Sequence, residues 1–237
     1  MKNYDLSSPL VFIHIPKAAG SSVREVLRGW FGSGLLENYF DEEAGLLPPR
    51  RDLSVLHSRE RPVVVYGHFN RNRGFGIEDY YPEVDQFVTI LRDPFEAAIS
   101  TYYYMRRVGD GWRDQSRVPK GDLQHFLANA QPNMLRQFPR EVTRENYRDL
   151  IEEFFVEVGI MEHLDASLRL IAAKLGMSFV SESLGLVNAS ERDQPHPEDM
   201  RDAFVERYPL EIEVYNYAAL RFPGACSVGC AGGVSLL

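Results

Sequence analysis

An α/β domain in three layers (α/β/α), with helices on both faces of a central parallel sheet of about five strands, is the fold this sequence predicts. Three observations predict it. Short apolar runs alternate along the chain with segments of helical periodicity. Each run is continuously apolar, as a strand buried on both faces requires, and does not alternate as a one-sided strand would. The first three runs lead into Lys17, His68 and Arg92, and ligands of open parallel sheets bind beyond the carboxyl ends of the strands.

The first run spans residues 11–15 and places His14 in mid-strand. Lys17-Ala18-Ala19-Gly20-Ser21-Ser22 follows as a loop of small side chains, in which backbone N–H groups can approach a ligand closely. Apolar residues at Val23, Val26, Leu27, Trp30 and Phe31 then mark a core-facing helix. Ser22 and Glu25 have the spacing of a capping box, and Gly32 and Gly34 supply the stop. A helix N-terminus fed by such a loop, with a lysine and two hydroxyls in it, is an anion site.

Residues 37–61 are polar and rich in Pro and Arg, which predicts a surface excursion with at most a short helix. Residues 61–68 form the second strand, with three valines at its heart, and a basic glycine-containing loop follows over 70–76. The third strand covers 86–91. Asp93 suits the N-cap of the next helix, Pro94 its first position and Glu96 the capping-box partner, and that helix runs to about Arg107. Residues 108–120 read as a polar loop. Helices are predicted over 122–130 and 143–155, a fourth strand over 156–160, and a helix over 164–175 closed by Gly176. Residues 183–187 are the candidate fifth strand, leading into Asn188, Ser190 and Arg192. Two helices, 197–208 and 210–222, are split by Pro209. A single domain therefore spans 1–223, and the Gly-rich stretch 224–237 is expected to be a flexible tail.

A chain of 237 residues can bury one full α/β core. The net charge of −8 argues against a broad nucleic-acid or anionic-membrane surface, so any anion site is a local pocket. No stretch approaches the roughly 20 apolar residues of a membrane span, and no signal-peptide core is present, so a soluble, cytoplasmic protein is expected. The two cysteines, Cys226 and Cys230, form no disulfide framework, and a C-x3-C pair without a nearby His is a poor metal site. They point to a reducing compartment.

A nucleotide-hydrolysing P-loop needs G-x-x-x-x-G-K-[ST] and an acidic residue on another strand for Mg²⁺. Here the lysine opens the loop, only Gly20 stands in it, and the next two strands end in Gly67-His68 and Arg92-Asp93-Pro94. A metal-free transfer relying on Lys, Arg and helix N-termini fits these residues better.

Ile15-Pro16-Lys17-Ala18-Ala19-Gly20-Ser21-Ser22 resembles the 5′-phosphosulfate-binding loop of sulfotransferases that use 3′-phosphoadenosine 5′-phosphosulfate (PAPS). Arg92 and Ser100, eight residues apart, are similar to their 3′-phosphate motif. Tyr66-Gly67-His68 and the stretches 158–168 and 188–190 resemble the glycan-type branch, in particular uronosyl 2-O-sulfotransferases. The resemblance touches most of residues 10–220. It implies a P-loop-like nucleotide fold, PAPS as co-substrate and no metal. It also implies roles. Lys17 lies at the leaving oxygen, and Lys17, Ala18, Ala19, Gly20, Ser21 and Ser22 hold the 5′-phosphosulfate. Arg92 and Ser100 hold the 3′-phosphate. His68, an imidazole with an unperturbed pKa of about 6.5, is the candidate general base.

Arg71, Arg73, Arg106 and Arg107 are candidates to line a site for an anionic or glycan acceptor, against the plainer reading of a solvated face. Tyr102, Tyr103 and Tyr104 read as packing residues. The expected partners are PAPS or its product 3′-phosphoadenosine 5′-phosphate (PAP) and a hydroxyl-bearing carbohydrate, lipid or small molecule. Two other classes compete: a nucleotide-dependent phosphoryl transferase, and a nucleotide-binding protein without catalysis in which His68 is structural. The sequence departs from the resembled branch at Ala18-Ala19, where Thr-Gly or Ala-Gly is common. It also shows neither the membrane anchor nor the disulfides of the Golgi enzymes, which favours a bacterial-type soluble enzyme.

Overall fold

The computed structural model describes residues 1–112, 115–181 and 198–223. Its strands are β1 (Leu10–Ile13), β2 (Leu35–Asn38), β3 (Val64–Gly67), β4 (Phe87–Leu91) and β5 (Phe155–Ile160). They pair in parallel in the order β2-β3-β1-β4-β5. The helices are α1 (Gly20–Phe31), α2 (Leu53–Leu56), α3 (Ile77–Tyr80), α4 (Pro94–Val108), α5 (Leu123–Asn129), α6 (Tyr147–Phe154), α7 (Leu164–Leu175), α8 (Glu198–Arg207) and α9 (Pro209–Arg221).

Side-chain alternation along each strand divides the apolar residues between two cores. Leu10 and Phe12 of β1, with Val64, Tyr66, Val88 and Ile90, pack against Val23, Val26 and Leu27 of α1 and Leu168 and Ile171 of α7. Val11 and Ile13, with Val65, Phe87 and Leu91, pack the other way against Leu150 and Ile151 of α6 and Val214 and Ala218 of α9. The predicted three layers follow from this two-sided burial. Each large apolar side chain removed from water contributes on the order of 1.5–3 kcal/mol.

The connection leaving β1 runs toward β2 and that leaving β4 toward β5, so the chain diverges between these neighbouring strands at their carboxyl ends. A third apolar cluster starts there. Phe95 and Ile99 of α4 pack on Leu127 of α5, Phe204 of α8 and Ile212 of α9.

Three local expectations are corrected. The strand read as residues 11–15 ends at Ile13, because its pairing with β3 stops at Ile13 opposite Gly67. His14 therefore stands beyond the strand, at the ligand edge. Helix α1 begins at Gly20, with Ala19 as N-cap and no side-chain cap, so Ser22 and Glu25 form no capping box. In α4 the Asp93 carboxylate does accept from the Glu96 N–H at 3.0 Å, but the Asp93 N–H is taken by Glu162 at 3.1 Å. The fifth strand of the sheet is β2, which begins at Leu35 and shares only Glu37 and Asn38 with the stretch read as a surface excursion. The candidate strand 183–187, Asn188, Ser190, Arg192, Cys226 and Cys230 lie outside the described residues.

Candidate active site

The loop after β1 is held in an unusual backbone shape. Lys17 and Ala19 both have positive φ, 67° and 57°, which costs a side-chain-bearing residue roughly 1–2 kcal/mol each. Arg92, just beyond β4, donates from Nη1 to the Lys17 carbonyl at 2.8 Å and so ties the loop to the neighbouring strand end. The first N–H to close onto the loop is that of Val23, which donates to the Ala19 carbonyl at 3.1 Å. The N–H groups of Gly20, Ser21 and Ser22 have no carbonyl four residues back within the helix. Ala18 is buried, Ser22 half-buried and Ser21 exposed.

The Lys17 ammonium sits over the Tyr104 ring, 3.9 Å from its centroid. Burial first, then the positive charges of Arg92 and Arg107, lower the Lys17 pKa to about 8. An anion at this loop restores what the neighbouring cations remove. Tyr104 lies on the third turn of α4 and lines the same cleft, so the packing role expected for it is joined by contact with the lysine.

His68 follows β3 directly. Its Nδ1 is 2.7 Å from the His14 carbonyl oxygen, an atom that can only accept, so Nδ1 carries the proton and Nε2 presents a lone pair. Nε2 makes no hydrogen bond among the described residues. The buried Asn38 at the end of β2 holds the backbone on either side: its carbonyl accepts from the His68 N–H and its Nδ2 donates to the His68 carbonyl, each at 3.0 Å. Burial lowers the His68 pKa, so the ring is neutral at pH 7.

The His14 ring stacks on His68 with centroids 4.3 Å apart and planes inclined by 21°, and its Nδ1 lies 2.9 Å from the Tyr39 hydroxyl. Burial, then the nearby His68, Arg24 and Lys17, hold His14 well below the usual imidazole range. The ring also rests on the phosphate-type loop. A Cβ on Gly20 would stand 1.8 Å from His14 Nε2, so only glycine fits there. His14, Asn38 and Tyr39 are the residues that sequence reasoning missed. The run of aliphatic residues around His14 hid the strand end, and β2 is too short and exposed to carry a strand signal.

Lys17, His68 and Arg92 line one cleft of about 1120 Å³, together with Arg73, Tyr104 and Glu211. Ser100 is half-buried on α4 and does not line it. Arg71 and Arg106 do not line it either. Arg71 donates from Nε to Glu78 at 2.5 Å, and Arg106 from Nη1 to the Tyr102 hydroxyl at 2.6 Å. Arg73 pairs with Glu42 at 2.9 Å, and Arg117 reaches the other oxygen of the same carboxylate at 2.7 Å. Among the described residues no three His, Cys, Asp or Glu side chains gather into a metal-binding group. No helix among them is long and apolar enough to cross a membrane.

No protein-family model matches the chain, and no curated protein sequence is similar to it. Solved structures do resemble it. A sulfotransferase from Alicyclobacillus acidocaldarius is 14% identical with a TM-score of 0.50, over 89% of this chain and 94% of that one. Mouse sulfotransferase SULT7A1 complexed with PAP is 14% identical with a TM-score of 0.49, over 91% and 90%. At this identity the first likeness establishes a shared α/β fold.

Proposed function

We propose that this chain transfers a sulfuryl group from PAPS to a hydroxyl of a carbohydrate, lipid or small-molecule acceptor, with His68 as general base. The observation that carries the proposal is the tautomer of His68. A neutral imidazole locked through Nδ1–H onto a backbone carbonyl offers its Nε2 lone pair to the cleft that also holds Lys17 and Arg92. The resemblance of the strand-end motifs to PAPS-dependent enzymes supports the identity of the donor.

In this reading the acceptor O–H gives its proton to His68 Nε2 while its oxygen forms a bond to sulfur in line with the departing phosphate oxygen. The S–O bond to that phosphate breaks, and its electron pair stays on the oxygen. Lys17 Nζ, with the first-turn N–H groups of α1, compensates the charge that gathers there. Lys17, Ala18, Ala19, Gly20, Ser21 and Ser22 cradle the 5′ end of the nucleotide. Arg92 serves its 3′-phosphate, and the Arg92 bond to the Lys17 carbonyl couples the two ends. A kinase-like reaction would ask Asp93 for a metal ligand. Asp93 instead caps α4 and pairs with Arg201 at 2.5 Å.

The test is His68→Ala with PAPS and an acceptor panel, read by mass spectrometry, beside PAP binding by calorimetry. Transfer collapses by about 10²–10⁴-fold and PAP binding persists if His68 is the base. Retained transfer would overturn the assignment.

A further inference from the structure

The cleft has a wall that the donor chemistry does not use. Gln137, only 2% exposed, closes the short turn Leu135–Gln137. Its Oε1 accepts from the Phe69 N–H at 2.7 Å, and Phe69 is the residue after His68. The amide is thereby fixed beside the proposed base, and its NH₂ group has no partner among the described residues. Glu211, 8% exposed in the first turn of α9, reaches the same turn: its Oε1 accepts a long bond from the Leu135 N–H at 3.4 Å. Its Oε2 is buried without a hydrogen-bond partner. So is Oδ1 of Asn70, two residues past His68. All three residues line the cleft.

Buried acceptors without partners are uncommon and costly unless a ligand supplies the proton. Here two of them share one cleft with a fixed donor. The same cleft carries Phe40 and Phe75, stacked with centroids 6.2 Å apart. Its two outer arginines, Arg73 and Arg117, share the single Glu42 carboxylate. Glu43 and Glu211 add further negative charge to the lining. Among the described residues lining this side, the carboxyls of Glu42, Glu43 and Glu211 face only the two guanidinium groups of Arg73 and Arg117, a balance that favours a neutral acceptor over an anionic one.

We propose that Gln137, Asn70 and Glu211 form a subsite for a neutral, polyhydroxylated ring. Gln137 Nε2 donates to one ring hydroxyl, and Asn70 Oδ1 and Glu211 Oε2 accept from others. The subsite rests on the sulfuryl-transfer reading only for what becomes of the bound hydroxyl; binding itself is independent of it. Burial raises the Glu211 carboxyl to about 7, and a hydroxyl donating to Oε2 favours the ionised form.

The experiment is saturation-transfer NMR on the full chain with methyl glucoside, methyl galactoside, methyl mannoside and methyl glucuronoside as probes, with PAP affinity measured in parallel by calorimetry. At least one neutral glycoside binds, more tightly than the glucuronoside. Glu211→Gln keeps the shape and the Leu135 contact, and Gln137→Glu keeps the Phe69 contact while replacing the donor; each weakens that glycoside by about tenfold. If Gln137→Glu does not fold, Glu211→Gln carries the test alone. Three results overturn the subsite: PAP binds but no neutral glycoside does, the glucuronoside binds best, or Glu211→Gln leaves glycoside affinity unchanged. Glycoside binding that weakens in Glu211→Gln while PAP fails to bind would sink the sulfuryl-transfer reading and leave the subsite standing.

Discussion

Replacing Gly20 by Ala sets two effects of opposite sign against each other. At an ordinary helical position Gly→Ala stabilises by about 0.5–1 kcal/mol, because alanine loses less backbone entropy. At Gly20 the new methyl would stand 1.8 Å from Nε2, 2.1 Å from Cε1 and 2.7 Å from Cδ2 of His14, so the whole imidazole must leave. That ring is stacked between His68 and Tyr66, at 4.3 and 5.3 Å, and bonded to the Tyr39 hydroxyl at 2.9 Å. Losing the hydrogen bond costs about 1 kcal/mol, and forcing a buried ring out of its packing about 1–3 kcal/mol more. The clash wins. A net loss of about 2 kcal/mol corresponds to a fall in Tm of roughly 4–8 °C for a domain of this size. Thermal unfolding followed by circular dichroism reads it, and in a His14→Ala background, where the ring is already absent, Gly20→Ala should cost far less, a coupling that a double-mutant cycle isolates. A Tm that rises in Gly20→Ala alone would refute the stack of His14 on the loop and with it the placement of His68.

Other expectations concern the charges and the clamp around the base. Lys17, with a pKa near 8, must be protonated to hold an anion, so PAP affinity is nearly full at pH 7 and falls about tenfold by pH 9, whereas Lys17→Arg should flatten that dependence; calorimetry across pH reads both. Because burial lowers the His68 pKa, the acid limb of the rate profile should lie below pH 6.5, and a limb above 7 would contradict a buried neutral base. Asn38→Ala removes the Nδ2 bond to the His68 carbonyl and should cut turnover by about tenfold with PAP affinity intact; equal losses in both would assign Asn38 to the sheet alone. Asp93→Ala removes the α4 cap and the Arg201 partner together and should cost about 1–2 kcal/mol in urea unfolding.

Much of this was legible in the sequence because strands buried on two faces leave an unambiguous trace. The valines of β3 and the Val11-Phe12-Ile13 segment fix the sheet, and Asp93-Pro94 fixes the start of α4. The residues that shape the proposed base were harder to read. His14 is flanked by Ile13 and Ile15, so periodicity cannot tell the last strand residue from the first one beyond it; only the pairing partner Gly67 ends the ladder. Asn38 acts through a neighbouring strand, a contact that no local pattern encodes. The arginines were visible as charges, but their carboxylate partners Glu78 and Glu42 are set by loop geometry. Gln137 and Glu211 are ordinary polar residues in sequence, and their interest comes from burial alone.

The central claim is a nucleotide site built to hold a 3′-phosphate beside a phosphosulfate. Calorimetry with PAP against ADP at pH 7 tests it most directly, since the two are isomers that carry the second phosphate on the 3′ oxygen or on the 5′-phosphate. Charge-assisted hydrogen bonds from Arg92 predict that PAP binds about 10–100-fold more tightly and that Arg92→Met removes the difference. Equal affinity for PAP and ADP would contradict the account.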